Sequence, residues 1–211
     1  HAQFRRQRQM CIRDRVPSDE RFRKLFRATP TYQMVSADLS GIELRMLAHY
    51  LSRYDNGRYQ RILTTGDIHQ TNADRIGITR RQVKTVTYAF LYGAGNTKLG
   101  YSYDKLLSEK AASVKGAEIR KAYIAAIPGL ADLLLACEKA SKRGYANAID
   151  GRRISVDKGH KFLNYLLQGS AATIAKRWMV IVNECLPPDG HQLSFVPVSY
   201  THLTLPTKLS V

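Results

Sequence analysis

Apolar residues recur at helical spacing over most of the chain and alternate only in a few short stretches. Tyr32–Asp38 reads as a strand ending in a carboxylate. Ile42–Tyr54 is amphipathic, with Leu44, Met46, Leu47 and Tyr50 at helical intervals, and Asp55-Asn56-Gly57 is a turn signal. A short helix to Leu63 follows. Asp67 is placed to N-cap a helix running to about Ile76, and Thr79 to cap the next one. Asp104–Ala126 and Leu130–Arg143 read as two further helices, separated by Pro128-Gly129. Tyr145–Ala148 and Arg153–Val156, joined through Asp150-Gly151, read as a β-hairpin. Gly159–Glu184 is a long, largely apolar helix. Pro187-Pro188-Asp189-Gly190 ends it, and Gln192–Val196 begins another strand. Many helices and few strands give an α+β class.

After Thr79 the polar positions become the informative ones. Arg80, Lys84, Tyr88 and Tyr92 fall at every fourth residue, so on a helix they lie along one stripe. Cations at one end can hold a polyphosphate. Phenol rings further along can carry a sugar and a base. The stripe matches the length of a nucleoside triphosphate laid along a helix. Gly93 and Gly95 then end the helix or let another backbone approach. Any single pair of this kind is more often a solvated cation above a core aromatic, so the ladder has to be weighed with the rest of the chain.

Composition narrows the partners. Lys and Arg number 33 against 17 Asp and Glu, a net of +16 with pI about 10.0. Such a balance favours a polyanion, without separating nucleic acid from an anionic membrane surface. No apolar run approaches the ~20 residues of a membrane span, so no membrane partner is expected. Cys11, Cys137 and Cys185 form no metal-type cluster and no disulfide framework, which suits a reducing cytoplasm. There is no G-x4-G-K-[ST] and no G-x-G-x-x-G.

Asp38 at a strand end, with Glu43 five residues on, can present two carboxylates to one cleft; a lone Asp there is more often a cap or turn residue. Taken with the ladder, the segment resembles the family A (polymerase-I type) DNA polymerases. Motif A of that family, D-x-S-x-x-E-L-R, is matched by Asp38, Ser40, Glu43, Leu44 and Arg45. Motif B, R-x3-K-x3-[FY]-x3-Y-G, is matched from Arg80 to Gly93. Gly66–Gln70, GDIHQ, matches a third segment lying between them. The string YAFLYGAG, with Tyr at 88, looks most like the phage replicative branch. The resemblance covers about Val16 to Val196.

That resemblance implies a partial polymerase palm, of few antiparallel strands with helices, plus an α-helical fingers subdomain. Residues 16–66 would be the first part of the palm, 67–127 the fingers, and 128–196 the second part of the palm. It implies a DNA-directed DNA polymerase that transfers dNMP to a primer 3′-hydroxyl, with primer-template DNA and dNTP as partners. A processivity factor would bind outside this stretch. Two Mg2+ ions are the implied cofactors, with Mn2+ as the alternative ion. Asp38 and the carbonyl of Leu39 would be metal ligands. Arg80 and Lys84, helped by His69, would hold the β- and γ-phosphates, and Lys84 would protonate the leaving pyrophosphate. Ser40, Glu43, Tyr88, Tyr92 and Gly93 would complete the dNTP site. Within it Glu43, braced by the Tyr92 hydroxyl, would exclude a ribose 2′-hydroxyl. His160, Asn164 and Gln168 would face the template-primer minor groove. Arg152 and Arg153 would contact primer phosphates. Without the resemblance, a polar edge on a buried helix and a solvated turn explain these last residues as well.

The family's motif C, His-Asp-Glu on a palm hairpin, should follow QLSFV directly. No His-Asp-Glu occurs in the chain, so it is expected to be a polymerase fragment without activity of its own. The ends, 1–15 and 197–211, match no family segment. RQRQMCIRDR and VSYTHLTLPT resemble translated adapter sequence, and both ends are expected to be non-native. Five arginines, Asp14 and Lys208 fall in these ends, leaving 27 basic against 16 acidic residues, net +11. Two other readings remain. A single-subunit phage-type RNA polymerase shares both motifs, but needs room where Glu43 stands. A non-catalytic basic DNA-binding module explains the charge but not Asp38 and Glu43 at motif spacing.

Overall fold

The computed structural model describes residues 20–25, 27–28, 30–156, 158–188, 190, 194–195 and 202–207. The leading segment 1–15 lies outside these, as do Gln192 and Val196 of the expected last strand. Contacts divide the chain into two compact units, Leu39–Trp178 and, from the two ends, His1–Asp38 with Met179–Val211.

The larger unit is helical. Its elements are α2 (Ile42–Asp55), α3 (Arg58–Thr65), α4 (Ile68–Ile76), α5 (Arg80–Leu91), α6 (Asn96–Tyr103), α7 (Glu109–Ala126) and α8 (Leu130–Ser141). A hairpin of β2 (Tyr145–Asn147) and β3 (Arg153–Ser155) follows. A 3-10 turn, Gly159–Lys161, then leads into the 24-residue α9 (Phe162–Cys185), which belongs to this unit as far as Trp178. Local chemistry sets the boundaries. Asp67 accepts hydrogen bonds from the backbone N–H of His69 and Gln70 at the start of α4. Thr79 and Gln82 form a reciprocal capping box at the start of α5. Ser108 caps α7, and Gly129, at φ 78°, opens α8 in the left-handed region that suits glycine. The apolar faces of these helices meet in one core, where Leu47, Leu51, Val86, Leu99, Tyr123, Ile127, Leu130 and Leu167 are almost wholly buried.

One helix expected from the sequence divides differently. The stretch Asp104–Ala126 is not continuous: Asp104 is the C-cap of α6, and α7 starts after Ser108. Asp104 Oδ1 accepts from the Leu106 N–H at 2.9 Å, a local turn that competes with helix. α6 itself was not foreseen. It carries Gly100 at its centre, and a Cβ there would meet Ala112 O of α7 at 1.9 Å. The reciprocal position, Gly116 of α7, would bring a Cβ to 1.8 Å from Asn96 O. Two glycines thus let the backbones of α6 and α7 touch. A further correction concerns Gly159–Lys161, which form the 3-10 turn instead of the first turn of the long helix.

The smaller unit contains α1 (Glu20–Arg23) and β1 (Gln33–Asp38), together with β4 (Ser194–Phe195) and β5 (His202–Thr207). The three strands form an antiparallel sheet in the order β1-β5-β4. β1 pairs with β5 from Gln33↔Thr207 to Asp38↔His202, and β4 pairs with it through Ser194↔Thr204 and Phe195↔Leu203. β5 falls in the segment set aside from the fold expectation. Its alternation of Leu203 and Leu205 with threonines is a strand signal in its own right. Mostly helical, with two small antiparallel sheets, the chain is α+β as expected.

Candidate active site

The ladder helix forms over Arg80–Leu91 and carries three of the four rungs, with Tyr92 just beyond its end. On α5, Arg80 and Lys84 are exposed and Tyr88 is half-buried, while Tyr92 is the residue that caps the helix. The opposite face, Val83, Val86, Thr87, Phe90 and Leu91, is buried in the core. The cationic end of the stripe is therefore turned outward by the packing of the helix's apolar face. Gly93, at φ 71°, breaks the helix. A Cβ at Gly93 would lie 3.5 Å from Lys161 Cγ and 3.6 Å from His160 O, so the backbone here runs close to the 3-10 turn.

At the far end of the stripe, the Tyr92 hydroxyl donates to Glu43 Oε1 at 3.1 Å. Glu43 sits in the first turn of α2 and is 4% exposed, the one charged residue that is buried among the described residues. Asn164 Nδ2 of α9 donates to the Tyr92 carbonyl at 3.4 Å. Tyr92 thus joins three elements that the sequence separates widely. Asn164 Oδ1 is buried without a partner of its own.

The cationic end has a partner that was not foreseen. Arg80 Nε donates to Asp67 Oδ2 at 2.7 Å. This contact, with the backbone donors of Gln70 and His69, lowers the Asp67 pKa below its usual value. Any stability from this pair and cap is present above the ordinary carboxylate pKa and is lost as pH falls through the depressed one. His69 stands beside them, its ring centroid 6.3 Å from that of Tyr88. Its pKa is lowered, chiefly by burial, with Asp67 opposing and Arg80 and Lys84 reinforcing. At neutral pH His69 is therefore an uncharged imidazole that can donate a hydrogen bond.

Asp38 is exposed at the end of β1, and Ser40 presents its carbonyl to Arg45 Nε at 2.9 Å. A single carboxylate is one hard oxygen donor of the kind Mg2+ takes. Among the described residues no group of three His, Cys, Asp or Glu gathers to hold a metal ion. No helix among them is long and apolar enough to cross a membrane.

The residues expected to face DNA are placed unevenly. His160 is exposed in the 3-10 turn, not on the α-helix that carries Asn164, and Gln168 is half-buried on α9. Arg152 is occupied by Asp150 at 2.6 Å and by Thr173 Oγ1 at 2.6 Å. Arg153 lies over the Tyr145 ring, 4.7 Å from its centroid, and Arg143 is 5.6 Å from the same centroid.

A second polar group went unread in the sequence. Behind α5, the side chains of Tyr59, Asn72, Thr87 and Tyr123 are buried, and their polar atoms lack a well-formed hydrogen bond. Burial pushes the Tyr123 hydroxyl up to about 12 and raises that of Tyr59 well above its ordinary value, so both stay neutral. Each of these four reads in sequence as an ordinary residue of an amphipathic helix.

Comparison with known proteins fits this geometry. The model of the family described as DNA polymerase family A matches residues 9–197. The chain belongs to DNA polymerase family A. It is 34% identical over 169 residues to the DNA-directed DNA polymerase of Escherichia phage T7, covering 72% of this chain and 23% of that protein. To DNA polymerase I of Pseudomonas aeruginosa it is 27% identical, over 83% of this chain and 21% of the relative. A solved structure, the POL domain of Pol1 from M. smegmatis in complex with DNA primer-template and dNTP, superposes with a TM-score of 0.67 at 23% identity. That match covers 92% of this chain and 37% of the other. The chain thus spans about a quarter or less of the length of these curated relatives. Family A DNA polymerases are generally metal-dependent.

Proposed function

We propose that the chain is the nucleotide-facing part of a DNA-directed DNA polymerase, which joins a dNMP to a primer 3′-hydroxyl as the template directs. One observation carries this reading: the Tyr92 hydroxyl meets Glu43 at 3.1 Å, tying the end of the motif B helix to the start of the motif A helix. A DNA-binding module without catalysis has no need of that bond, and a ribonucleotide polymerase has no need of a buried carboxylate there. On this reading Arg80 and Lys84 take the β- and γ-phosphates, His69 donates a neutral hydrogen bond to them, and Lys84 supplies the proton that leaves with pyrophosphate. Ser40 and Gly93 line the same pocket, and Asn164, Gln168, His160, Arg152 and Arg153 serve the template-primer. Asp38 and the Leu39 carbonyl would hold one Mg2+ or Mn2+, which would supply positive charge to neutralise the transferring phosphate; a second ion would need a carboxylate besides Asp38.

The reading is tested in a chimera, with residues 32–186 replacing the matching segment of the phage T7 polymerase. Template-directed dNMP incorporation is expected, and Asp38→Ala should abolish it. A folded chimera that binds primer-template and never extends it would overturn the assignment.

DNA affinity of the 211-residue chain should fall steeply and independently of sequence as salt rises, because phosphate contacts release counterions. Fluorescence anisotropy over a salt series measures the slope. A flat slope, or strong sequence preference, would count against the DNA partner.

Tyr88 bears on the sugar 3′ side. Its hydroxyl can stand in for the missing 3′-oxygen of a dideoxynucleotide, a polar contact worth ~1–3 kcal/mol if otherwise unsatisfied. Tyr88→Phe in the chimera should therefore raise discrimination against ddNTP by roughly five-fold to more than a hundred-fold. Single-turnover kcat/KM for ddNTP and dNTP gives the ratio, and equal discrimination in both proteins would reduce Tyr88 to a packing residue.

A further inference from the structure

Arg120, on α7, is half-buried and reaches across to the turn that follows α5. Its Nε donates to Asn96 Oδ1 at 2.8 Å. Its Nη2 donates to the Ala94 carbonyl. Its guanidinium lies over the Phe90 ring, 5.5 Å from the centroid. One side chain therefore touches the last turn of α5, the turn itself and the first residue of α6. Both acceptors are neutral, so the contacts recorded for this cation include no carboxylate. Burying a guanidinium against neutral acceptors carries a desolvation cost. What it supplies in return is a rigid fork of donors, which lysine lacks.

The backbone of the turn is held on its other side as well. The Gly93 N–H donates to Phe90 O and the Ala94 N–H to Ala89 O, each at 2.9 Å. With the Ala94 carbonyl on Arg120, both polar backbone groups of Ala94 are engaged. Tyr92 lies two residues before Ala94, and its hydroxyl is the donor to Glu43.

We propose that Arg120 is a positioning residue that clamps the turn Tyr92–Gly95 and so holds the Tyr92 hydroxyl on Glu43. Its consequence for sugar selection rests on the reading of Glu43 given above, whereas the clamp itself does not.

Two measurements separate these layers. The first is amide hydrogen exchange of the 211-residue chain with Arg120→Met, Arg120→Lys or Asn96→Ala. Exchange at residues 92–96 should quicken by ten-fold or more in Arg120→Met, the scale set by losing hydrogen bonds to a charged group. Protection in α8 should not change. Arg120→Lys keeps the charge without the fork and should recover only part of the protection. Should Arg120→Met not fold, Asn96→Ala removes one acceptor alone and should quicken the same amides less. Unchanged exchange at 92–96, or full recovery with lysine, overturns the clamp.

The second measurement is the rNTP/dNTP ratio of kcat/KM in the chimera. Arg120→Met should raise it severalfold, and combining it with Tyr92→Phe should add little, as expected when two residues act through one contact. Faster exchange with an unchanged ratio would overturn the link from the turn to Glu43. If Glu43→Ala itself leaves the ratio unchanged, the reading of Glu43 fails while the exchange result stands.

Discussion

Glu43→Ala in the chimera is expected to raise ribonucleotide use relative to deoxyribonucleotide use on the order of a hundred-fold, the ratio that relief of ~3 kcal/mol of steric overlap gives. The carboxylate is buried at the first turn of α2 and held by Tyr92, so it cannot swing aside to admit an extra hydroxyl. Truncation to alanine both empties that space and leaves the Tyr92 hydroxyl without this acceptor. Glu43→Gln is the informative companion. It keeps the volume and an oxygen for Tyr92, so selection by shape should survive it, whereas selection by charge should not. Single-turnover kcat/KM for matched rNTP and dNTP pairs decides the matter. An unchanged ratio in Glu43→Ala would remove this residue from sugar selection.

A comparably large effect is expected where α6 packs on α7. Gly116→Ala should destabilise the helical unit by about 3 kcal/mol or more, at or beyond the usual limit for overpacking. The added Cβ would meet Asn96 O at 1.8 Å, Asn96 C at 2.6 Å and Gly100 N at 2.9 Å, all of them backbone atoms that cannot rotate away. Alanine's better helix propensity returns only ~1 kcal/mol. Gly95→Ala is the control: nothing lies within 4 Å of its Cβ, and its φ of −67° suits any residue. It should lose no more than about 1 kcal/mol of capping preference. Urea unfolding of the three proteins compares them directly. A Gly116→Ala chain as stable as the parent would mean that α6 and α7 are not in backbone contact.

Where the sequence was legible, the reasons were local. Asp67 and Thr79 cap their helices with their own side chains, and the capping box needs only Gln82 three residues on. The Asp150-Gly151 hairpin and the break before α8 likewise depend on adjacent residues. α6 was missed because Gly100 argues against a helix until its neighbour α7 is present, so the tertiary contact overrides the propensity. The site divides along the same line. Four-residue spacing gave the α5 stripe directly, and the motif resemblance supplied the Glu43–Tyr92 pair across 49 positions. No such guide pointed to Arg120, whose partners lie 24 and 26 residues away. Nor did any mark Asp67 as the partner of Arg80, since its cap already accounted for it.

That ion pair changes what nucleotide binding would involve at the head of α5. Arg80 does not wait as a loose cation whose many rotamers must be frozen on contact. It is already held by one carboxylate. If Arg80 takes a triphosphate as proposed, it would exchange one anion for another, and part of the ordering entropy that long side chains lose on binding would already be lost in folding. Asp67, released from Arg80, keeps its place through the backbone donors of His69 and Gln70. The start of α4 would thus stay capped whichever anion Arg80 holds, and a bound triphosphate could leave without melting the helix beside it.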